Sequence, residues 1–371
     1  MISRQDLERL IGRGDGDGPI LSLFLDMSVN SDNKRTHGVF LNQKEAQLQE
    51  LNPSLSEEIS AAFVRVRGWL GEGYDEQNRG VVVYTQLTGD WFEALQFPVP
   101  IPGRAVISAR PMIVPLAQVL ESYHHHGVVL LDRAHVRILS VYLGTLLDEI
   151  EVRPKPLVDA PHDIQAGGYS QARYQRHKVE ETRQFFREFA REVEEFVERY
   201  HPGDLVILGT EENVAKFREF LPEHVLARVV HTGAAQVDDN AAEILLRIAP
   251  HLEAHEALER SEMVGRVRDR VLHDYLATAG FQGTLAALQE GKVDTLVIAR
   301  DHTREGARCT RCGFVFAEGV TTCPYDGAEI LTEVDVVEEI VRMAEGQGVA
   351  IAFAEPADVE ELNGVGALLR F

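Results

Sequence analysis

The sequence predicts an α/β protein of three domains, and three observations carry that expectation. The chain has 371 residues, more than one hydrophobic core ordinarily serves, so two or three domains of roughly 100–150 residues are expected. Continuous apolar runs such as ILSLFLDM, LVILGT and VDTLVIARD suit buried strands. They alternate with amphipathic stretches, the longest being VEETRQFFREFAREVEEFVERY. There Thr182, Phe186, Phe189, Val193, Phe196 and Tyr200 recur every three or four residues and line one helical face.

Taken in order, residues 1–123 form an N-terminal α/β domain. An opening helix runs into the turn-rich RGDGDGP, ILSLFLDM is a buried strand, and a long polar helical stretch, roughly Lys34 to Leu70, is broken by Pro53. RGVVVYTQ is the next strand, and WFEALQFPVPIP and ARPMIVPLAQVL add short extended pieces punctuated by prolines. A middle domain, residues 124–260, begins with HHHGVVLLDRAHVRILSVYLGTLLDEIEV, read as consecutive strands turning at Asp132–His135 and at Gly144-Thr145. A polar loop and the long helix follow, stopped by Pro202-Gly203; then come LVILGT as a parallel strand, ENVAKFREFL as a helix and LARVVH as a strand. A helical region from Asp238 to Thr278, interrupted at Pro250, leads into a C-terminal domain, residues 261–371. Its elements are the helix GTLAALQEG, the strand VDTLVIARD, the helix VVEEIVRMAEGQG closed by glycine, the strand VAIAFAE and an apolar terminal strand in LNGVGALLRF.

Composition narrows the function classes. The net charge of −22 disfavours non-specific polyanion binding, because a nucleic-acid binder neutralises phosphates with Lys and Arg. We therefore expect no DNA partner, and any RNA contact has to rest on a local basic patch. No window holds the roughly 18 apolar residues of a membrane span, so we expect no membrane partner; nothing in MISRQDLERLIG marks the chain for export, so a cytoplasmic protein is expected, a monomer being the expectation where the sequence leaves the oligomeric state open. Three cysteines, two of them as CxxC, suit a reducing compartment and a metal site rather than a disulfide framework.

The cysteines sit as Cys309-x₂-Cys312, ten intervening residues, then Cys323-x₂-Asp326. Two tight turns, each offering two ligands, make the layout of a small zinc ribbon over about residues 307–328, with structural zinc as the expected cofactor. Asp326 stands where ribbons usually carry cysteine; a carboxylate can ligate zinc, and water or His302 could equally complete the shell. Gly313 and Gly327 follow the last ligand of each turn, where absence of a Cβ helps the chain wrap the ion.

Residues 163–178 read DIQAGGYSQARYQRHK. Gly167 and Gly168 permit close approach to the main chain. Arg173, Arg176 and His177 then fall at i, i+3 and i+4 on a helix expected to begin about Ser170. Arg173, Arg176 and Lys178 carry three positive charges with no acid between them, a phosphate-facing arrangement in an acidic chain.

This constellation resembles the middle domain of the archaeal and eukaryotic class-one peptide-chain release factors and their Pelota-like relatives, bacterial members included. In that family a strand pair leads into a Gly-Gly-Gln-Ser loop and an Arg-aromatic-x-Arg helix start. Gly167, Gly168, Ser170, Arg173, Tyr174 and Arg176 match it, and Tyr169 stands at the position of the family's catalytic glutamine, with Gln171 two residues on. The resemblance also covers GDLVILGTEENVAKFREFL, GTLAALQEGKVDTLVIARD and LNGVGALLRF. It implies a three-domain release-factor-like architecture, with an RNase H-like middle domain and an α/β/α carboxy-terminal domain carrying a zinc-ribbon-like insertion.

The same resemblance implies a ribosomal A-site factor. Gly167, Gly168, Tyr169 and Gln171 would act at the peptidyl-tRNA ester, and Ser170, Arg173, Arg176, His177 and Lys178 would contact ribosomal RNA, with a translational GTPase as a further partner. The family's first domain reads stop codons with an Asn-Ile-Lys-Ser loop and a Tyr-x-Cys motif. Here Asp32-Asn33-Lys34-Arg35 lacks the full motif and residues 1–123 hold no cysteine, so rescue of stalled ribosomes by ester hydrolysis is expected rather than termination. A non-catalytic hibernation factor filling the A site is the alternative, because tyrosine cannot imitate an amide. A nuclease using Asp132 and Asp148 as metal ligands is a minor third. His124, His125 and His126 are expected to be linker residues.

Overall fold

The computed structural model describes residues 4–13, 18–30, 34–123, 125–154, 168–318, 320–328 and 331–371, with the backbone alone at 4, 5, 168–178 and 331. Contacts divide the chain into two compact units, one of residues 1–122 with 258–371 and one of residues 123–257. Each is a mixed α/β structure, as the sequence predicts.

The unit of residues 123–257 is built on a five-stranded sheet of order β7-β6-β5-β8-β9. Its strands are β5 (His126–Leu131), β6 (Val136–Tyr142), β7 (Thr145–Val152), β8 (Asp204–Gly209) and β9 (Val229–Gly233). The first three form an antiparallel meander; β8 and β9 continue it in parallel, the RNase H-like arrangement. Parallel pairing of β5 with β8 requires a crossover, and helix α5 (Gly168–Tyr200) supplies it. Phe185, Phe186, Phe189, Val193 and Phe196 of α5 pack on one sheet face with residues of α6 (Glu211–Arg218) and α7 (Glu223–Leu226). The other face is covered by α8 (Ala241–Leu272) through Ile244, Ile248 and Leu252. Gly127 is needed where α5 crosses β5: a Cβ there would lie 2.6 Å from Phe196 Cε1 and 2.4 Å from Leu205 Cδ2.

Two local expectations change here. The β6–β7 turn is made by Leu143 and Gly144, both with positive φ (49° and 66°), as a two-residue primed hairpin requires, so Thr145 belongs to β7. Pro250 lies inside α8 and does not interrupt it; the helix gives up one backbone hydrogen bond there while Ile248 and Leu252 on either side stay buried.

The other unit contains three sheets. The first has the order β3-β2-β1-β4, from β1 (Ile20–Asp26), β2 (Gly80–Gln86), β3 (Phe92–Phe97) and β4 (Arg104–Ser108). Leu21, Leu23 and Leu25 of β1 face α2 (His37–Leu51) and α3 (Ser56–Glu72), which Pro53 separates as the sequence predicts. A short helix α1 (Arg4–Ile11) precedes β1. The segment 114–122, read from sequence as extended, is instead helix α4 (Val114–Ser122). Pro115 sits in its first turn, where the missing N–H is no loss.

The second sheet has the order β10-β16-β11-β15, from β10 (Ala277–Ala279), β11 (Val293–Ala299), β15 (Ala350–Ala354) and β16 (Val365–Leu369). Thr278, expected at a helix end, therefore lies in a strand. Helices α9 (Phe281–Gln289) and α10 (Val336–Gly346) accompany this sheet, with α8 residues Val264 and Val267 in its core. Between β11 and α10 the chain forms a third sheet, β13-β12-β14, from β12 (Glu305–Cys309), β13 (Val315–Phe316) and β14 (Leu331–Asp335).

An ion network ties α10 to the segment before α4. The Glu338 carboxylate accepts hydrogen bonds from the backbone N–H groups of Ile113 (2.5 Å) and Val114 (3.0 Å), and Arg342 donates to the Pro111 carbonyl. Glu339 accepts from Arg308 (2.9 Å) and Arg110 (3.4 Å). The Tyr84 hydroxyl donates to the Met112 carbonyl at 2.7 Å and the Ser22 hydroxyl accepts from its N–H at 3.0 Å.

Candidate functional site

Gly167 lies outside the described residues, as do Asp32 and Asn33. Helix α5 begins at Gly168, two residues ahead of the expected start, so Gly168, Tyr169, Ser170 and Gln171 belong to its first turn rather than to a loop. Arg173, Arg176, His177 and Lys178 follow on the same helix, and the 3.6-residue period keeps positions 173, 176 and 177 on one face. At about 1.5 Å per residue, Gly168 lies about 25 Å along the axis from Phe185, the first α5 residue of the buried core. The basic start of α5 thus belongs to a helix whose far half is fixed by aromatic packing.

That anchoring involves groups the sequence had assigned elsewhere. His124 lies outside the described residues, but His125 and His126 are not linker residues. His125 Nε2 is 2.8 Å from the Ser140 hydroxyl, and its ring meets Tyr142 and Tyr200 edge-on at 6.0 and 5.7 Å. Burial pulls the His125 pKa below the usual imidazole value. Tyr200, the last residue of α5, donates its hydroxyl hydrogen bond to Asp148. His126 opens β5 and is 7% exposed, with Nδ1 3.5 Å from Asp204 and Nε2 3.8 Å from Glu256. No periodicity flagged either histidine, because a strand's first residue takes its burial from the neighbours that pair with it.

The nuclease reading fails on strand register. Asp148 pairs with Ser140, which pairs with Gly127, whereas Asp132 follows Leu131 at the opposite end of β5. Five residues of strand separate the two levels, about 16 Å. Asp132 instead accepts the Ala134 N–H at 2.7 Å in its own turn, and Asp148 holds Tyr200.

Cys309, Cys312, Cys323 and Asp326 come together, one ligand atom from each lying within 4.8 Å of all the others. The Cys312 and Cys323 sulfurs are 3.6 Å apart, and the Cys309 sulfur is 3.6 and 3.7 Å from the two Asp326 oxygens. Four ligands about 2.3 Å from a central ion would have tetrahedral edges of about 3.8 Å, so the set is sized for such an ion. The two turns are built alike. Cys309 N–H donates to the Phe314 carbonyl and Gly313 N–H to the Cys309 carbonyl; Cys323 N–H donates to Ala328 and Gly327 N–H to Cys323. Gly313 and Gly327 have φ of 77° and 68°, the left-handed region that glycine enters at least cost. The N–H groups of Cys312 and Arg311, turned toward the Cys309 thiol, lower its pKa, and the Ala328 N–H does the same for Asp326. Both groups are held toward the anionic form that metal binding needs. His302 is not part of the set; its ring stacks on Phe281 at 5.3 Å.

Among the described residues no helix is long and apolar enough to cross a membrane.

The family described as bacterial archaeo-eukaryotic release factor family 10 matches residues 111–256, the span that contains α5. Peptide chain release factor subunit 1 of Pyrococcus abyssi is 27% identical over 293 residues, 69% of each chain. The protein of the same name from Thermococcus kodakarensis is 25% identical over 293 residues, 69% of this chain and 68% of its own. Among solved structures, an archaeal translation termination factor, aRF1, aligns over 100% of this chain and 99% of its own at 17% identity, with a TM-score of 0.28. Pelota of Archaeoglobus fulgidus aligns over 79% of each chain at 14% identity and a TM-score of 0.35.

Proposed function

From the premise that the chain is a release-factor- and Pelota-like protein, we propose that it is a translation factor that enters the ribosomal A site and presents the start of α5 to the peptidyl transferase centre. The observation that supports this most is the family match over residues 111–256, because it spans the Gly-Gly-Tyr-Ser-Gln segment and the helix that carries it. A long helix packed at its far half and basic at its start is suited to reach into a phosphate-lined channel, with Arg173, Arg176 and Lys178 on RNA.

The reaction we infer is hydrolysis of the peptidyl-tRNA ester on stalled ribosomes. Water attacks the ester carbonyl carbon, the bond to the tRNA ribose oxygen breaks, and the proton passes to that oxygen. Main-chain groups at Gly167 and Gly168 and the amide of Gln171 would orient the water; orientation and preorganised donors supply most of such catalysis. A second reading, occupation of idle ribosomes without cleavage, is favoured by Tyr169, whose phenol replaces the family's glutamine amide. Zinc on Cys309, Cys312, Cys323 and Asp326 would stiffen the ribbon, and a translational GTPase is the delivery partner the family implies.

The experiment incubates stalled ribosomes carrying labelled peptidyl-tRNA with the wild type and with Gln171→Ala and Gly168→Ala variants. Peptide release that the wild type catalyses and the variants lose by roughly a hundredfold supports hydrolysis. Tight binding with no release supports occupation, and absence of binding defeats both.

A further inference from the structure

The unit of residues 1–122 and 258–371 contains a cleft of ≈ 1350 Å³ lined by β4 with the residues after it, by β12 and β14, and by the start of α10. Its volume exceeds the roughly 300–1,000 Å³ of small-molecule sites, which points to a length of polypeptide as occupant. Two sheet edges line it. Among the described residues β4 pairs with β1 alone, at the end of its sheet, and β14 pairs with β12 alone, at the end of its own.

The free side of β14 can be assigned from one bond. Val336 N–H donates to the Arg304 carbonyl at 2.7 Å, and antiparallel alternation then turns the backbone groups of Val334 and Thr332 toward β12 and those of Glu333 and Asp335 away from it. Register places Glu305 opposite Asp335 and Ala307 opposite Glu333, so Glu305, Glu333 and Asp335 share one face.

The charges of the cleft are unequal. Arg308 and Arg110 are engaged by Glu339 and Arg342 by Glu338, while Arg304 lies over the Phe281 ring at 5.5 Å. Glu305, Glu318 and Glu333 remain exposed. The wall beside the open edge is therefore acidic, which repels RNA and, in a chain of net charge −22, a second copy of itself.

We propose that the β14 edge binds an extended basic segment of a partner protein by strand addition. Its main chain would pair with Glu333 and with the N–H of Asp335, the residue that caps α10, and Lys or Arg at alternate positions would sit beside Glu333 and Asp335, with Glu305 one strand further in. Main-chain pairing supplies affinity and the alternating side chains supply selectivity.

The test uses fluorescence anisotropy with the full chain and a labelled ten-residue peptide alternating Lys and Val. The expected result is saturable binding, weakened roughly tenfold or more for a scrambled peptide with all Lys at one end and for the protein carrying Glu305→Lys and Glu333→Lys. Glu333→Pro, which removes an outward N–H and spares the pairing with β12, abolishes binding, whereas Glu333→Ala retains part of it. In wild-type protein, hydrogen exchange at the Glu333 and Asp335 amides slows when the peptide binds. Equal binding of the scrambled peptide, protection confined to other residues, or binding of a single-stranded RNA in place of the peptide overturns the proposal.

Discussion

The Glu338 carboxylate, largely covered at 13% side-chain exposure, gives the contact between α10 and residues 111–114 an expected pH response. Burial raises its pKa from 4.5 to about 7 against the opposing pull of Arg342 and of the Ile113 and Val114 N–H groups, and Asp335 adds to the rise. A carboxyl whose folded pKa lies above its unfolded value binds its proton more tightly in the folded state. The associated stability is complete below about pH 4.5 and is lost as pH rises through about 7, an effect of about 3 kcal/mol. Thermal unfolding between pH 5 and pH 8 should show the wild type losing more stability than Glu338→Gln over that interval. Parallel pH profiles would contradict the assignment. Glu338 and Glu339 were visible in sequence as two acids in the apolar helix VVEEIVRMAEG, but their partners at residues 110–114 lie more than 220 positions away and no periodicity connects them. His126 escaped for the same reason: its neighbours Asp204 and Glu256 meet it only once β5, β8 and α8 have assembled.

At the scale of elements, the cluster of Cys309, Cys312, Cys323 and Asp326 was the most legible, because the spacing that brings the four together is local. Two Cys-x₂ turns followed by glycine state the geometry outright, and the matching hydrogen bonds at Cys309 and Cys323 reproduce it. Gly327 has φ of 68° with open space around the absent Cβ, so Gly327→Ala would meet backbone strain of about 1 kcal/mol and no clash. Zinc titration against a chromophoric chelator should give one ion per chain, bound about fivefold more weakly by Gly327→Ala and more tightly by Asp326→Cys. A chain that takes up no zinc contradicts the proposed cofactor. Long elements were equally readable where burial imposed a period: the α5 stripe from Phe186 to Phe196 lies in the core as spaced. Proline misled twice, at Pro115, which sits in the first turn of α4, and at Pro250, which α8 absorbs. Ring sterics constrain local φ, and whether a helix starts, bends or ends there depends on packing that sequence alone does not display.

For the whole molecule, the meander of three strands followed by two parallel ones gives α5 its position, since the crossover from β7 to β8 must carry the chain back along the sheet. The fold class followed from alternating strands and helices, whereas the proposed ribosomal role rests on family likeness together with the basic, glycine-led start of one helix. An acidic chain of net charge −22 offers little general attraction to RNA, so its contact with a ribosome should be concentrated at that start. The most direct measurement replaces Gln171 with a photo-activatable benzoylphenylalanine and crosslinks the full chain to stalled ribosomes. Crosslinks to ribosomal RNA of the peptidyl transferase centre are expected. Crosslinks elsewhere on the ribosome, or failure to associate with it, would contradict entry of the α5 start into that centre.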